Sequence, residues 1–138
     1  SEKAEANQLE MVVECPQPPV EIYVDGRHLW RIIDNLMGNI CKYAQPGTRV
    51  YVTLEKFHGM VIMTFRNISK DRLKMTSEEL FGRFVRGDSS RNTEGHGLGL
   101  SIAKSLTELM HGNLAVQMDG DLFKVILSFE EYQEDKKQ

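Results

Sequence analysis

The most chemically suggestive stretch of the sequence runs from Thr93 to Lys104 and reads TEGHGLGLSIAK. Gly95, Gly97 and Gly99 alternate there, and apolar residues at helical spacing follow at once: Ile102, Ala103, Leu106, Leu109 and Met110. Glycines that open a helix let a ligand approach the backbone, and the unpaired amides of the first turn lie at the positive end of the helix dipole. The pattern predicts an anion site of the kind that binds phosphate, with a plain glycine loop as the alternative.

A second group of polar side chains lies on a helix predicted from Arg27 to Ala44, whose buried stripe is Leu29, Ile32, Ile33, Leu36 and Ile40. On an adjacent face, offsets of 0, 4, 7 and 8 bring together Asn35, Asn39, Lys42 and Tyr43. Asparagine is a poor residue for a helix interior, so two of them one turn apart need a reason, which a functional role would supply. A solvated polar face is the alternative.

The segment between these two helices contains a long polar stretch, from Val85 to His96, without periodicity. Before it, Thr76 and Glu79 form a capping box that predicts a short helix through Phe84. A long loop that ends in glycines is typical of a mobile lid over a ligand.

The remaining elements that must position these residues are mostly strands and turns. Strands are predicted over residues 9–13, 22–24, 50–54, 60–65, 114–118 and 123–129, with the fourth covered on both faces. His58-Gly59 predicts a hairpin turn, Gly112 a helix C′ position, and residues 67–75 an irregular segment. Because the strands come in hairpins, the sequence predicts an α+β two-layer sandwich: a mixed, mostly antiparallel sheet with helices on one face.

The composition narrows the class of protein. The chain has 138 residues, a net charge of −3 and 41% hydrophobic residues, which fits one globular domain and argues against a general nucleic-acid binder. Cys15 and Cys41 stand apart from each other, which fits a reducing compartment and argues against a structural metal. No apolar run reaches the ~18–20 residues of a membrane span.

Three motifs together carry a family resemblance. NLMGNICKYA (35–44), LFGRF (80–84) and GHGLGL (95–100) resemble, in order and spacing, the N, F and G2 boxes of the ATP-binding domain of sensor histidine kinases. The wider superfamily has the Bergerat ATP-binding fold and includes gyrase, mismatch-repair and chaperone ATPases. The resemblance implies a catalytic domain that binds Mg·ATP and transfers the γ-phosphate to a histidine on a separate dimerisation domain.

The resemblance also implies roles for individual residues. Asn39 matches the asparagine whose oxygen ligates Mg²⁺, and Asn35 matches the general-base glutamate of the ATPase relatives. Since an amide cannot take a proton from water, hydrolysis should be slow. Lys42 would contact phosphate, and Tyr43 would lie on the adenine side of the pocket.

The resemblance implies that the glycine box and the lid bind the phosphates. The residues implied at the lid end and at the phosphate-binding helix terminus are Gly95, Gly97, Leu98, Gly99 and Leu100. Arg86 and Arg91 are the lid candidates for the γ-phosphate, a role that phosphoryl transfer requires. For each arginine, a solvent-exposed loop position is the open alternative.

One box departs from the family pattern. The adenine-binding motif is normally Asp-x-Gly-x-Gly, and the matching line here begins at Asn67 and reads Asn-Ile-Ser-Lys-Asp. Asn67 can still accept a hydrogen bond from the adenine amino group, but without charge. The expected loss is about 1 kcal/mol, a several-fold fall in affinity.

The phosphoacceptor is not among the four histidines, because His28, His58, His96 and His111 all lack the acceptor context of the family. We expect residues 1–8 to be the end of an upstream dimerisation helix or linker, 9–130 the ATP-binding domain and 131–138 a polar tail. The implied partners are the upstream dimerisation domain and a response regulator, in the cytoplasmic part of a membrane-bound bacterial sensor kinase. Two alternatives remain: a non-catalytic docking module of the same fold, and an anti-sigma-type serine kinase.

Overall fold

The computed structural model describes residues 2–15, 19–73 and 96–133. Its elements in chain order are α1 (Glu2–Ala6), β1 (Glu10–Glu14), α2 (Gly26–Tyr43), β2 (Arg49–Phe57), β3 (Met60–Ile68), α3 (His96–Leu109), β4 (Asn113–Asp119) and β5 (Leu122–Glu130). The predicted helix through Phe84, most of the predicted lid and the tail from residue 134 lie outside the described residues.

The strands form one sheet in the order β1-β2-β3-β5-β4. β1 pairs with β2 in parallel, and α2 makes the crossover between them, while the other three strand pairs are antiparallel. This arrangement is the mixed, mostly antiparallel sheet that the sequence predicts.

One face of the sheet carries the core. Side chains alternate along β5, so that Val125 and Leu127 point with Phe65 of β3 towards buried residues of the helices. The helices contribute Ile32, Leu36 and Ile40 from α2 and Leu100 and Ala103 from α3. This packing turns the remaining faces of α2 and α3 away from the sheet.

The opposite face of β3 is less covered than its apolar run predicts. Thr64 and Arg66 on that face are only partly buried, whereas Val61 and Phe65 on the core face are 2% exposed. The apolar run therefore reflects the central place of β3 between β2 and β5, and not burial on both faces.

The prediction of a strand over residues 22–24 is wrong: this segment has no regular secondary structure. Ile22 and Val24 pack against the core, while Tyr23 between them is 85% exposed and stacks on Tyr132 at a ring-centroid distance of 5.8 Å. The alternation in the sequence reports alternating burial of an extended segment, not pairing in a sheet.

The end of α3 corrects another prediction. His111, with φ 67°, is the left-handed C′ residue, and its amide donates to the Glu108 carbonyl at 3.0 Å. Gly112 follows it and donates to the Thr107 carbonyl at 2.9 Å, which completes a Schellman motif. Gly112 is needed for space, since an ideal Cβ there would lie 2.9 Å from the Ser128 carbonyl oxygen and closer still to the Phe129 ring.

These contacts predict opposite effects for two glycine substitutions. Gly112→Ala should lower the free energy of unfolding by about 1–3 kcal/mol, because the new methyl group overlaps the β5 backbone and the Phe129 ring. Gly38→Ala, in an open position within α2, should raise it by about 0.5–1 kcal/mol through helix propensity. Urea unfolding of both variants measures the two effects, and a loss of stability in Gly38→Ala equal to that in Gly112→Ala would contradict the account.

Candidate functional site

The polar face of α2 holds two amides with buried atoms that lack partners. Asn35 and Asn39 are both partly buried and lie one helical turn apart. Within the described residues, neither the Asn35 Nδ2 atom nor the Asn39 Oδ1 atom has a hydrogen-bond partner, although both atoms are buried. Buried polar atoms are paired in most folded proteins, so such atoms call for an explanation.

A third amide lies at the end of β3. Asn67 belongs to the strand and pairs in register with Phe123 of β5, whereas the sequence places it in an irregular segment. Asn67 is two residues after Phe65 in the strand, so both side chains lie on the same face of the sheet, the one that carries the helices. The side chain is 3% exposed, and its buried Oδ1 atom has no partner in the part of the chain that the structure describes.

Backbone hydrogen bonds join the end of β3 to the end of α2. The Gln45 amide donates to the Ile68 carbonyl at 2.7 Å, and the Lys70 amide donates to the Tyr43 carbonyl at 3.0 Å. Ala44 and Ser69 form an antiparallel bridge between these two contacts. We call these contacts the α2–β3 junction. The junction holds the element that carries Asn67 against the helix that carries the other two asparagines.

The unpartnered atoms concentrate on these amides. Four buried side-chain nitrogen or oxygen atoms lack a partner among the described residues, and three of them belong to Asn35, Asn39 and Asn67. The fourth is Nε of Arg66, which lies on the opposite face of the sheet and stacks on Tyr51 with 5.4 Å between the guanidinium carbon and the ring centroid. Donor and acceptor atoms that the fold leaves unpaired are suited to a polar ligand.

Lys42 and Tyr43 extend the site to the last turn of α2. The Lys42 ammonium lies 5.5 Å from the centroid of the Tyr43 ring, within the range of a cation–π interaction. Lys42 is exposed and Tyr43 is partly buried. An exposed cation and an aromatic ring therefore lie at the end of the helix that carries the asparagines.

Ser69 gives the segment after Asn67 a structure that the sequence reading missed. Its hydroxyl donates to the Asp71 carbonyl at 2.7 Å and accepts from the Asp71 amide at 3.2 Å. The Ser69 amide also donates to the Asp121 carbonyl at 2.8 Å, in the turn between β4 and β5. Ser69 and Asp71 stand at the two positions where the motif normally has glycine. Neither has a positive φ, so the backbone at these positions does not require glycine. The signal in the sequence is the serine itself, since a Ser hydroxyl can bond the backbone two residues further on.

The glycine-rich box forms the start of α3, as predicted. The helix begins at His96, so Gly97, Leu98 and Gly99 contribute backbone to its first turn. Leu100 is 0% exposed and lies in the core, where its side chain anchors this helix end. Gly95, Arg86 and Arg91 lie outside the described residues.

Comparison with known proteins identifies the family. The family model described as "Histidine kinase-, DNA gyrase B-, and HSP90-like ATPase" matches residues 24–133. The chain belongs to this family. The use of ATP follows from that membership, and the family inferred from the three boxes is confirmed.

Similar proteins of known sequence are sensor kinases. The chain is 38% identical over 107 residues to the probable sensor protein PcoS of Escherichia coli, a match that covers 75% of this chain and 23% of that protein. It is 33% identical over 108 residues to the sensor histidine kinase YvrG of Bacillus subtilis strain 168, covering 78% and 19% respectively. The chain thus spans about a fifth to a quarter of the length of these relatives.

Solved structures confirm the fold. The catalytic domain of histidine kinase ThkA superposes with a TM-score of 0.77 at 19% identity, covering 94% of this chain and 84% of that one. The Acinetobacter baumannii histidine kinase AdeS superposes with a TM-score of 0.74 at 17% identity, covering 96% and 59%. As to membranes, none of the helices in the described ranges has the length and apolarity of a membrane span.

The Ser69 turn yields a stability prediction. Ser69→Ala should lower the free energy of unfolding by about 1 kcal/mol, because the Asp71 amide loses its acceptor and the hydroxyl bond is removed. Ser105→Ala, at an exposed position of α3, is the matched control and should be neutral or slightly stabilising. Chemical denaturation of both variants tests this; equal stabilities would mean that the Ser69 hydroxyl does not maintain the turn.

Proposed function

We propose that this chain is the catalytic domain of a two-component sensor histidine kinase, which binds Mg·ATP and donates the γ-phosphate to a histidine on a separate dimerisation domain. The observation that carries the proposal is the position of the unpartnered amides. Asn35, Asn39 and Asn67 are the residues that the N box and the adenine box assign to the nucleotide, and the same three have buried atoms without partners in the described ranges. The names of the similar sensor kinases support the same reaction.

The donor set of the site fits a magnesium ion. Asn39 offers a buried amide oxygen without a partner among the described residues, and oxygen is the ligand that Mg²⁺ prefers. One protein ligand is enough, since Mg²⁺ keeps waters and takes further oxygens from phosphates. When bound, the ion supplies positive charge that neutralises the triphosphate. Asn39 would hold it from α2.

The other residues of the site each interact with a different part of the nucleotide. Asn35 is an amide, so it can orient a polar group but cannot take a proton from water, and the γ-phosphate is preserved for transfer. Lys42 contributes positive charge towards the phosphates, and Tyr43 contributes ring surface towards the base. Asn67 accepts a hydrogen bond from the adenine amino group. The first turn of α3 and the lid residues Arg86 and Arg91 complete the phosphate site in this proposal.

The histidines support a phosphoacceptor elsewhere. His58 and His111 occupy left-handed turn positions, with φ of 52° and 67°. His28 lies 4.0 Å from the Asp25 carboxylate at the start of α2, and His96 begins α3. Because none of the four histidines has the acceptor context of the family, we propose the dimerisation domain of the same sensor protein as phosphoacceptor and a response regulator as the next partner, within a membrane-bound bacterial kinase.

Nucleotide binding should stabilise the domain through Asn39. A hundredfold excess of Mg·AMPPNP over its Kd should raise the free energy of unfolding by about 2.7 kcal/mol. In Asn39→Leu this gain should be lost, while the stability of the ligand-free protein should hold or rise, because a buried acceptor without a partner has been removed.

Thermal melts with and without nucleotide measure both effects. Asn113→Leu, at an exposed position at the start of β4, is the control and should keep the nucleotide-dependent shift. If millimolar Mg·AMPPNP does not shift the melt of the unsubstituted chain, the catalytic assignment fails and a docking module of the same fold is favoured.

Phosphoryl transfer should depend on a second domain. The chain alone, incubated with γ-labelled Mg·ATP, should acquire no acid-labile phosphate. Adding the dimerisation domain of the same sensor protein should produce labelled histidine on that domain, at a rate that Asn39→Leu abolishes. Label on any of the four histidines of this chain in the absence of the partner would contradict the assignment, as would labelled serine on an added protein substrate.

A further inference from the structure

The backbone of Asn67 is fixed from several directions. The strand pairs with β5, where Asn67 lies opposite Phe123. One residue later, the Ile68 carbonyl accepts from the Gln45 amide of the α2–β3 junction at 2.7 Å. The Ser69 amide is bound to the Asp121 carbonyl at 2.8 Å. The Cα of Asn67 therefore has little freedom to move, and its side chain is held at one place on the helix-facing side of the sheet.

The side-chain amide of Asn67, in contrast, has an oxygen that no described neighbour binds. Its Oδ1 atom is buried without a partner although the residue is 3% exposed. A carboxamide carries an acceptor and a donor on two atoms of similar size, and rotation about its terminal torsion exchanges them. The position of Asn67 is fixed, but the polarity that it presents is not.

The neighbouring hydroxyl does not fix that polarity. The Ser69 hydroxyl donates to the Asp71 carbonyl and accepts from the Asp71 amide, so its proton and its lone pair are both engaged within the turn. Because this group is bound to its own turn, it favours neither orientation of the Asn67 amide.

We propose that Asn67 reads either kind of purine edge, so that the site binds 6-oxopurine triphosphates such as GTP and ITP as well as ATP. The proposal rests on the proposed function, in which Asn67 faces the six-position of the base. Adenine presents an amino donor there, beside the N1 acceptor, and the amide meets both with its oxygen and its nitrogen. Guanine and hypoxanthine present the O6 acceptor beside an N1–H donor, and the rotated amide meets these equally well.

The same geometry explains why an aspartate would discriminate. An ionised carboxylate has acceptors only, so it can pair with the adenine amino group but faces O6 as one acceptor against another. A site that leaves buried polar groups unpaired rejects the wrong ligand much more strongly than one that merely loses a contact. An asparagine in place of aspartate at position 67 therefore removes the penalty against O6. The affinities for ATP and for the 6-oxopurine triphosphates should then lie within tenfold of each other.

Isothermal calorimetry on the full chain with Mg·ATP, Mg·ITP and Mg·GTP tests the inference. In the unsubstituted chain, the Kd of ITP or GTP should lie within tenfold of that of ATP; ITP lacks the 2-amino group and so isolates the six-position. Asn67→Asp, measured at pH 8 so that the carboxylate is ionised, should bind ATP several-fold more tightly and both 6-oxopurines at least tenfold more weakly. Asn113→Asp adds the same charge at an exposed site and should leave all three affinities unchanged.

The outcomes separate this inference from the proposed function. If ATP binds and both ITP and GTP bind more than tenfold more weakly to the unsubstituted chain, Asn67 does not read both edges and the inference is overturned, while the kinase assignment stands. If no nucleotide binds, the proposed function itself fails. The measurement on the unsubstituted chain decides the question even if Asn67→Asp does not fold, which its melting curve would reveal.

Discussion

The α2–β3 junction is the constraint on which the site depends. α2 crosses between the parallel strands β1 and β2, so its C-terminal end must return to the sheet, and it does so by exchanging backbone hydrogen bonds with the residues that follow Asn67. Because two of these bonds lie on either side of the Ala44–Ser69 bridge, neither element can slide along the other without breaking them. The helix face with Asn39 and the strand face with Asn67 are thereby held in a fixed relation before any nucleotide arrives.

This arrangement is maintained against a local cost. Leaving a buried donor or acceptor unpaired costs about 1–3 kcal/mol, and the asparagine side chains present three such atoms in the described ranges. Packing alone would favour an apolar residue such as leucine at these positions. Leu36, between Asn35 and Asn39 in the chain, is such a residue and is 1% exposed in the core. A polar ligand that supplied the missing partners would offset this cost, as the proposed nucleotide site requires.

Much of the fold could be predicted because its signals are local. The periodicity of α2, the turn at His58-Gly59 and the glycine start of α3 are all confirmed. The strand predicted over residues 22–24 was wrong, because alternation in the sequence reports alternating burial. This segment is buried alternately without pairing in the sheet. The N box predicted a functional role for Asn35 and Asn39, and both have buried atoms without a partner in the described ranges. The place of Asn67 inside β3 could not be predicted, since it depends on pairing with a strand more than fifty residues later in the chain.

The choice of an amide at position 67 has a consequence for the free domain as well as for the bound one. At 3% exposure, without a partner in the described ranges, an ionised carboxylate there would face a desolvation penalty far larger than that of a neutral amide. Burial would raise the pKa of such a carboxyl group, because it disfavours the charged form. In the proposed adenine role, Asn67 gives up about 1 kcal/mol of charge-assisted bonding, but its side chain stays uncharged at every pH at which the protein is folded. In the proposed adenine role, an amide in place of an aspartate at position 67 thus exchanges some affinity for a site whose structure does not depend on a buried charge.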